Sequence, residues 1–306
     1  MFLAPIDLPL QRLQAVIRVS GNNPRQCLGA AVSPAALSDT SKDIISAIKV
    51  CKDLHQAISQ ANTGEPIHRA FEIYPGLPSR QLASCLVRPI SDWALSHMFA
   101  EIDRQGADAA YRLYRALEGC PAGAWLNGKL FENKVHRFFQ SITEPRRFTI
   151  FSLEDRSINF DVEFSSETRH WNFGAIQHFS GQLATAVNDG HSCYLRPISP
   201  VFPSFDSFLY QHEISRPGYR SLIPIQVTGS RDHPISLKGL ADTQKSLKHR
   251  VPELNAGKWI ILFVVPETMM ASFVAQRFID STKYAHWEEK TTQYILGLPA
   301  QEVLSS

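Results

Sequence analysis

The sequence predicts a mixed α/β protein: a mainly helical region over residues 1–120, then a mixed β-sheet flanked by helices over residues 121–306. Three observations carry this. Apolar residues recur at helical spacing in the first part. Runs with strand character dominate after residue 145. Between the two, "GCPAG" at Gly119–Gly123 packs two glycines and a proline into five residues and breaks the chain.

Residues 21–43 are rich in Gly, Asn, Pro, Ser and Asp, and read as a loop. Ile44, Ile45, Ile48, Cys51, Leu54 and Ile58 then predict a helix that ends near "NTGEP". "HRAFEIYP" and "ASCLVRPI" read as two short strands with "GLPSRQ" between them. Ser91 and Asp92 are caps for a helix with the core stripe Leu95, Met98, Phe99, Ile102, Ala109, Leu113 and Leu117, running to about Gly119. After the break, Leu126–Phe139 reads as a helix. "RRFTIFSL" and "INFDVEF" read as paired strands joined by "EDRS". Residues 165–190 read as irregular, with a helix only around Gly181–Val187. "CYLRP", "FDSFLYQ" and "LIPIQVTG" read as strands. Leu237, Leu240, Ala241, Gln244 and Leu247 mark a helix, and "KWIILFVV" a continuously buried strand. Phe273, Val274, Phe278 and Ile279 suggest another helix, and "TTQYILGL" a last strand.

Hydrophobic residues make up 44% of the 306, enough to build cores, which excludes a disordered chain. The net charge of +2 leaves any basic surface to be local. Five cysteines lie far apart with no CxxC, so neither a disulfide framework nor a zinc site is expected, and an intracellular protein is the plain reading. The start, "MFLAPIDLPLQRLQAVIRV", lacks a basic lead and is interrupted by Pro5, Asp7 and Pro9, so it does not read as a signal peptide. "WIILFVV" is too short to span a bilayer, and no membrane partner is expected.

Four stretches invite chemistry. "GAWLNGKL" fits G-x-x-x-x-G-K, but Leu130 stands where a phosphate loop needs a hydroxyl, and no strand precedes it; it reads as the start of a helix. On that helix Gly128, Glu132 and His136 share a face beside the apolar stripe Phe131, Val135 and Phe138, which puts Glu132 near the core edge. Asp206 interrupts one apolar strand and Gln226 the next. An unpaired buried amide costs about 1–3 kcal/mol, so both residues need partners. Alternation puts Gln226 and Thr228 on one face, and side-by-side strands bring them to Asp206. Oxygen ligands there, with a helical glutamate above, suit a hard cation such as Mg²⁺. Just downstream, "GSRDHPISLKGL" supplies Arg231, His233 and Lys238, fitted to phosphate contact at a helix start.

Taken in order, these residues resemble the restriction-endonuclease-like domain of the Crinkler and retrotransposon-hot-spot type proteins of fungi and oomycetes. Phe131, Glu132 and His136 match its helix. Phe202, Ser204, Phe205, Asp206, Ser207 and Phe208 match its first strand motif. Gln226 and Thr228 match the Q-x-T that follows, and His233, Lys238, Gly239 and Leu240 the last motif. The resemblance covers residues 121–299, and "RPISDWALSHMF" upstream looks like the helical tail of a nucleoside triphosphatase module. It implies a nuclease that uses Mg²⁺, or Mn²⁺, on DNA or RNA. Glu132, Asp206 and Gln226 would hold the metal, Lys238 would stabilise charge, and Arg231, His233 and Thr228 would meet the substrate. The general endonuclease motif, PD-(D/E)xK, has an acid and a lysine on the second strand, where this chain has Gln226 and Thr228. That departure keeps a second expectation open: an effector-like module that binds nucleic acid or protein without catalysis.

Overall fold

A computed structural model describes residues 10–50, 69–75, 85–198, 205–212, 220–255, 257–279 and 284–306. Cys51, Leu54, Ile58, "GLPSRQ", Phe202 and Ser204 lie outside the described residues. The contacts divide the chain into two units, residues 1–130 and residues 131–304.

The first unit holds α1 (Leu10–Ser20), α2 (Pro24–Ala31), α3 (Pro34–Val50), β1 (Phe71–Pro75), β2 (Cys85–Pro89), α4 (Asp92–Arg104), α5 (Ala107–Leu117) and the opening turns of α6 (Ala124–Gln140). The loop expected over residues 21–43 is instead mostly helix. Asn23 Oδ1 accepts from Gln26 N at 3.3 Å, and Ser33 Oγ from Ala36 N at 3.0 Å. Each cap is followed by a proline at the first helical position, where its missing N–H has no partner to lose. The same residue types that mark a loop thus mark two helix starts. Gly21 makes the turn between α1 and α2 with φ at 61°, and a Cβ there would fall 1.6 Å from the Ile90 carbonyl oxygen. β1 and β2 pair antiparallel, as expected. Ser91 caps α4 by accepting from Ala94 N at 3.1 Å. The single helix expected from there to Gly119 is two helices, because Gly106 at φ 107° leaves the right-handed region.

The second unit is built on an eight-stranded sheet in the order β4-β3-β12-β10-β8-β7-β6-β5. Its strands are β3 (Arg146–Ser152), β4 (Asn159–Phe164), β5 (Arg169–Phe173), β6 (Cys193–Pro197), β7 (Ser207–Tyr210), β8 (Leu222–Val227), β10 (Trp259–Pro266) and β12 (Thr291–Leu298). β6, β7 and β8 form an antiparallel meander, and β8, β10 and β12 run parallel. Between them come β9 (Ile235–Ser236), α8 (Leu237–Leu247), α9 (Glu267–Met270) and β11 (Phe278–Ile279), with β9 and β11 pairing as a small ladder; α10 (Ala300–Leu304) closes the chain. α7 (Ile176–Asp189) and α8 cover one face of the sheet. Phe179 and Leu183 of α7 and Leu237 and Leu240 of α8 pack with Leu195, Phe208, Leu222, Ile261 and Phe263 of the strands.

The other face receives α6 from Phe131 onward. Phe139 stacks on Phe164 with ring centroids 4.3 Å apart and meets Phe148 and Tyr194 edge-on. The sheet curls around this helix: Phe164 and Tyr194 are 5.9 Å apart, although five strands separate β4 from β6 in the sheet. Gln211 Nε2 donates to the Glu163 carbonyl at 3.1 Å and ties the two sides of the curl.

Two further expectations are corrected. Residues 165–190 hold β5, an edge strand of the sheet, and the full-length α7. Residues 273–279 form no helix: Phe273 is buried, Val274 is exposed, and Phe278–Ile279 form β11. Gly128 and Lys129 lie inside α6, as the failed phosphate-loop match implies.

Candidate functional site

Asp206 stands just before the first residue of β7, at the sheet rim where β8 ends. Its N–H donates to the Ile225 carbonyl at 3.0 Å, continuing the ladder set by Ser207 opposite Ile225. Its Oδ2 accepts from Val227 N at 2.8 Å and from Gln226 Nε2 at 2.5 Å. This answers why two polar residues interrupt two apolar strands: each satisfies the other, and the carboxylate also takes a backbone N–H from β8. Gln226 is only 7% exposed, and it uses its amide nitrogen on Asp206. It is thereby a holder of the carboxylate. Thr228 is buried and builds the turn beyond the strand, its Oγ1 accepting from Ser230 N at 2.9 Å.

Gln226 lies opposite Phe263, which belongs to the core under α7 and α8. Glu132 comes from the other side. It is half-buried on α6, one turn before the fully buried His136, whose Nδ1 lies 2.5 Å from the Tyr194 hydroxyl. Tyr194 is on β6 and faces α6. Burial raises its phenol well above the ordinary range, Asp206 and Glu132 raise it further, and Arg196 opposes them. The hydrogen bonds of Asp206 with Ile225, Gln226 and Val227 all run to β8, at the rim of the sheet, whereas Glu132 approaches from the α6 side.

The basic segment leaves the same end of β8. Arg231 is exposed and His233 half-buried. Their backbone is fixed by a buried glutamine: Gln276 Oε1 accepts from His233 N at 2.6 Å, and its Nε2 donates to the Arg231 carbonyl at 3.1 Å. Gln293 of β12 holds Gln276 in turn, its Oε1 accepting from Gln276 N at 2.7 Å and its Nε2 donating to Gln276 O at 2.8 Å. Lys238 lies in the first turn of α8, where Ser236 is the cap, and its Nζ is 2.8 Å from Asp242 Oδ2 on the exposed side of the helix.

Tyr194, Arg196, Gln276 and Gln293 are absent from the sequence-based site. "CYLRP" did carry a signal, since Tyr194 and Arg196 alternate with the core residues Cys193 and Leu195. The glutamine pair joins a loop to β12, which no local pattern connects. Among the described residues no three His, Cys, Asp or Glu side chains form a metal cage. A Mg²⁺ site does not need one: one or two carboxylates with substrate phosphate and water suffice, and the donors here are hard oxygens. Comparison with family models, with curated proteins and with solved structures found no match to this chain.

Proposed function

We propose that the second unit is a restriction-endonuclease-like domain that hydrolyses nucleic-acid phosphodiesters with Mg²⁺ or Mn²⁺. The observation that carries this reading is the half-buried Asp206 carboxylate at the sheet rim, held by the Gln226 amide and the Val227 N–H of the neighbouring strand. Glu132 and Asp206 would hold the ion, which when bound activates water and stabilises charge on the phosphoryl group. Gln226 and the Val227 N–H fix the orientation of Asp206. Arg231, His233 and Lys238 line the segment beyond β8 and would hold phosphates, with the Gln276–Gln293 pair keeping that segment in place. The resemblance stated from the sequence supplies the reaction class; the meander carrying Asp206 and Gln226 and the parallel crossover through α8 are compatible with it.

One observation favours the second reading, a binding module without catalysis. Gln226 presents a donor to Asp206 where an acid would add charge, and Lys238 is engaged by Asp242. The test is incubation of the purified protein with single- and double-stranded DNA and RNA, with Mg²⁺, Mn²⁺ or chelator. Metal-dependent cleavage lost in Asp206→Asn supports the nuclease. Tight, salt-sensitive binding without cleavage under any metal supports the module instead.

A further inference from the structure

We propose that the free edge of β4 takes an extended, cationic polypeptide segment as an added strand. The inference is independent of the nuclease reading. β4 ends the sheet and pairs on one side only, with β3. Residues of an antiparallel ladder alternate between exchanging bonds with the partner strand and turning away from it. The Ile158 carbonyl accepts from Ser152 N at 2.8 Å, on the β3 side. Asn159, Asp161 and Glu163 therefore turn their backbone groups outward. Gln211 Nε2 uses this edge, donating to the Glu163 carbonyl at 3.1 Å. Among the described residues nothing bonds to the N–H or C=O of Asp161 or to the N–H of Glu163 across that edge. At the rise of a strand, the edge from Asn159 to Glu163 is about 14 Å long, room for about five extended residues.

The edge opens into a cleft of about 880 Å³, a size typical of ligand sites. Its other walls are residues just before β5, just before β6 and just after β7. The lining carries Asp161, Glu163 and Glu167 against the guanidinium of Arg147. Arg147 is paired with Glu163 at 2.8 Å, which leaves the exposed Asp161 and Glu167 without an ion pair among the described residues. A second observation calls for a donor. Gln211 lines the cleft, is only 7% exposed, and its Oε1 has no hydrogen-bond partner among the described residues. A buried acceptor left unpaired is costly, and an N–H or ammonium from an occupant satisfies it. Charged side chains on an edge strand keep two copies of the same edge apart. Acidic ones at the same time select a strand of opposite charge. In such a complex the main-chain bonds give affinity and the alternate side chains give selectivity.

The test uses the full chain at low salt and the probe acetyl-Lys-Thr-Lys-Thr-Lys-Thr-Lys-amide. Three comparison probes are the same peptide N-methylated throughout, which keeps the charge and loses the backbone donors, its counterpart with glutamate for lysine, and spermine. Affinity is read by calorimetry, and the edge by amide hydrogen exchange. We expect the lysine peptide to bind and to slow exchange at Asp161 and Glu163 by at least about tenfold. N-methylation should weaken binding by about tenfold or more, and the glutamate peptide should not bind. Asp161→Asn combined with Glu167→Gln should weaken the lysine peptide by about tenfold, with an unchanged melting temperature. Failure of the lysine peptide to bind overturns the inference. Equal affinity for the N-methylated peptide or for spermine, with unchanged exchange at Asp161 and Glu163, reduces the cleft to a diffuse acidic patch and overturns it too. Binding that survives the double substitution undiminished removes the cationic selectivity and likewise refutes the proposal.

Discussion

Replacing Asp206 by alanine should destabilise the second unit, whereas replacing it by asparagine should not. A desolvation argument alone gives the opposite expectation for alanine, because it removes a charge from a half-buried place. The two donors on Oδ2 reverse the sign. Alanine strands the Gln226 amide at 7% exposure and the N–H of Val227 at 3%. Each buried donor left without an acceptor costs about 1–3 kcal/mol. Asp206 is at the rim and half-buried, so water replaces part of the loss, and about 2 kcal/mol is the expected total. For a unit of roughly 150–250 residues that lowers the melting temperature by about 4–8 °C. Asparagine retains a carbonyl oxygen that accepts both bonds, and its melting temperature should stay within about 2 °C of wild type. Thermal denaturation of the three proteins at neutral pH measures this. Alanine as stable as wild type, or asparagine as unstable as alanine, refutes the reasoning. Asparagine is accordingly the cleaner substitution for any test of activity.

Gln276→Leu should free the Arg231–His233 backbone. Amide exchange at His233 should accelerate by at least about tenfold, equivalent to about 1.4 kcal/mol, while exchange within β10 stays slow. Burial pushes the Cys193 thiol up to about 12, so Cys193 should resist alkylation at pH 8 in the native protein and react on unfolding; native-state labelling read by mass spectrometry would contradict this. Burial lowers the pKa of His170 from its ordinary value of 6.5. Protonation therefore favours the unfolded chain, so this contribution to stability is full above about pH 6.5 and is lost as pH falls toward the depressed native value. Chemical denaturation at several pH values should show that slope, and His170→Phe should flatten it; an unchanged slope counts against the argument.

The parts of the fold legible in the sequence are those whose signal is local. β10 read correctly because a strand paired in parallel on both sides is buried on both faces and appears as an unbroken apolar run. The starts of α2 and α3 were misread because Asn23-Pro24 and Ser33-Pro34 suit a turn as well as a cap, and only the following helix decides between them. The polar β5 gave no alternation to read: it is an edge strand whose partner β6 lies beyond a helix. Asp206 and Gln226 were legible as a pair because each breaks an apolar run, and their hydrogen bond is the compensation that such breaks require. Gln276 and Gln293 were not legible, because the two glutamines act through tertiary contacts that join a loop to β12.

Tyr194 and Arg196 show why a site on a meander depends on register more than on residue type. A slip of one residue between β6 and β7 would turn both side chains to the α7 and α8 face, away from Glu132 and His136. What holds the register is the core on that opposite face. Cys193 and Leu195 alternate with the two polar residues and are fully buried there with Phe208 and Tyr210 of the neighbouring strand. Their burial fixes which way Tyr194 and Arg196 point, and the bond between Tyr194 and His136 then fixes α6 against the same strand. Asp206, just before the start of β7, is steadied by the Gln226 amide and the Val227 N–H of the neighbouring strand.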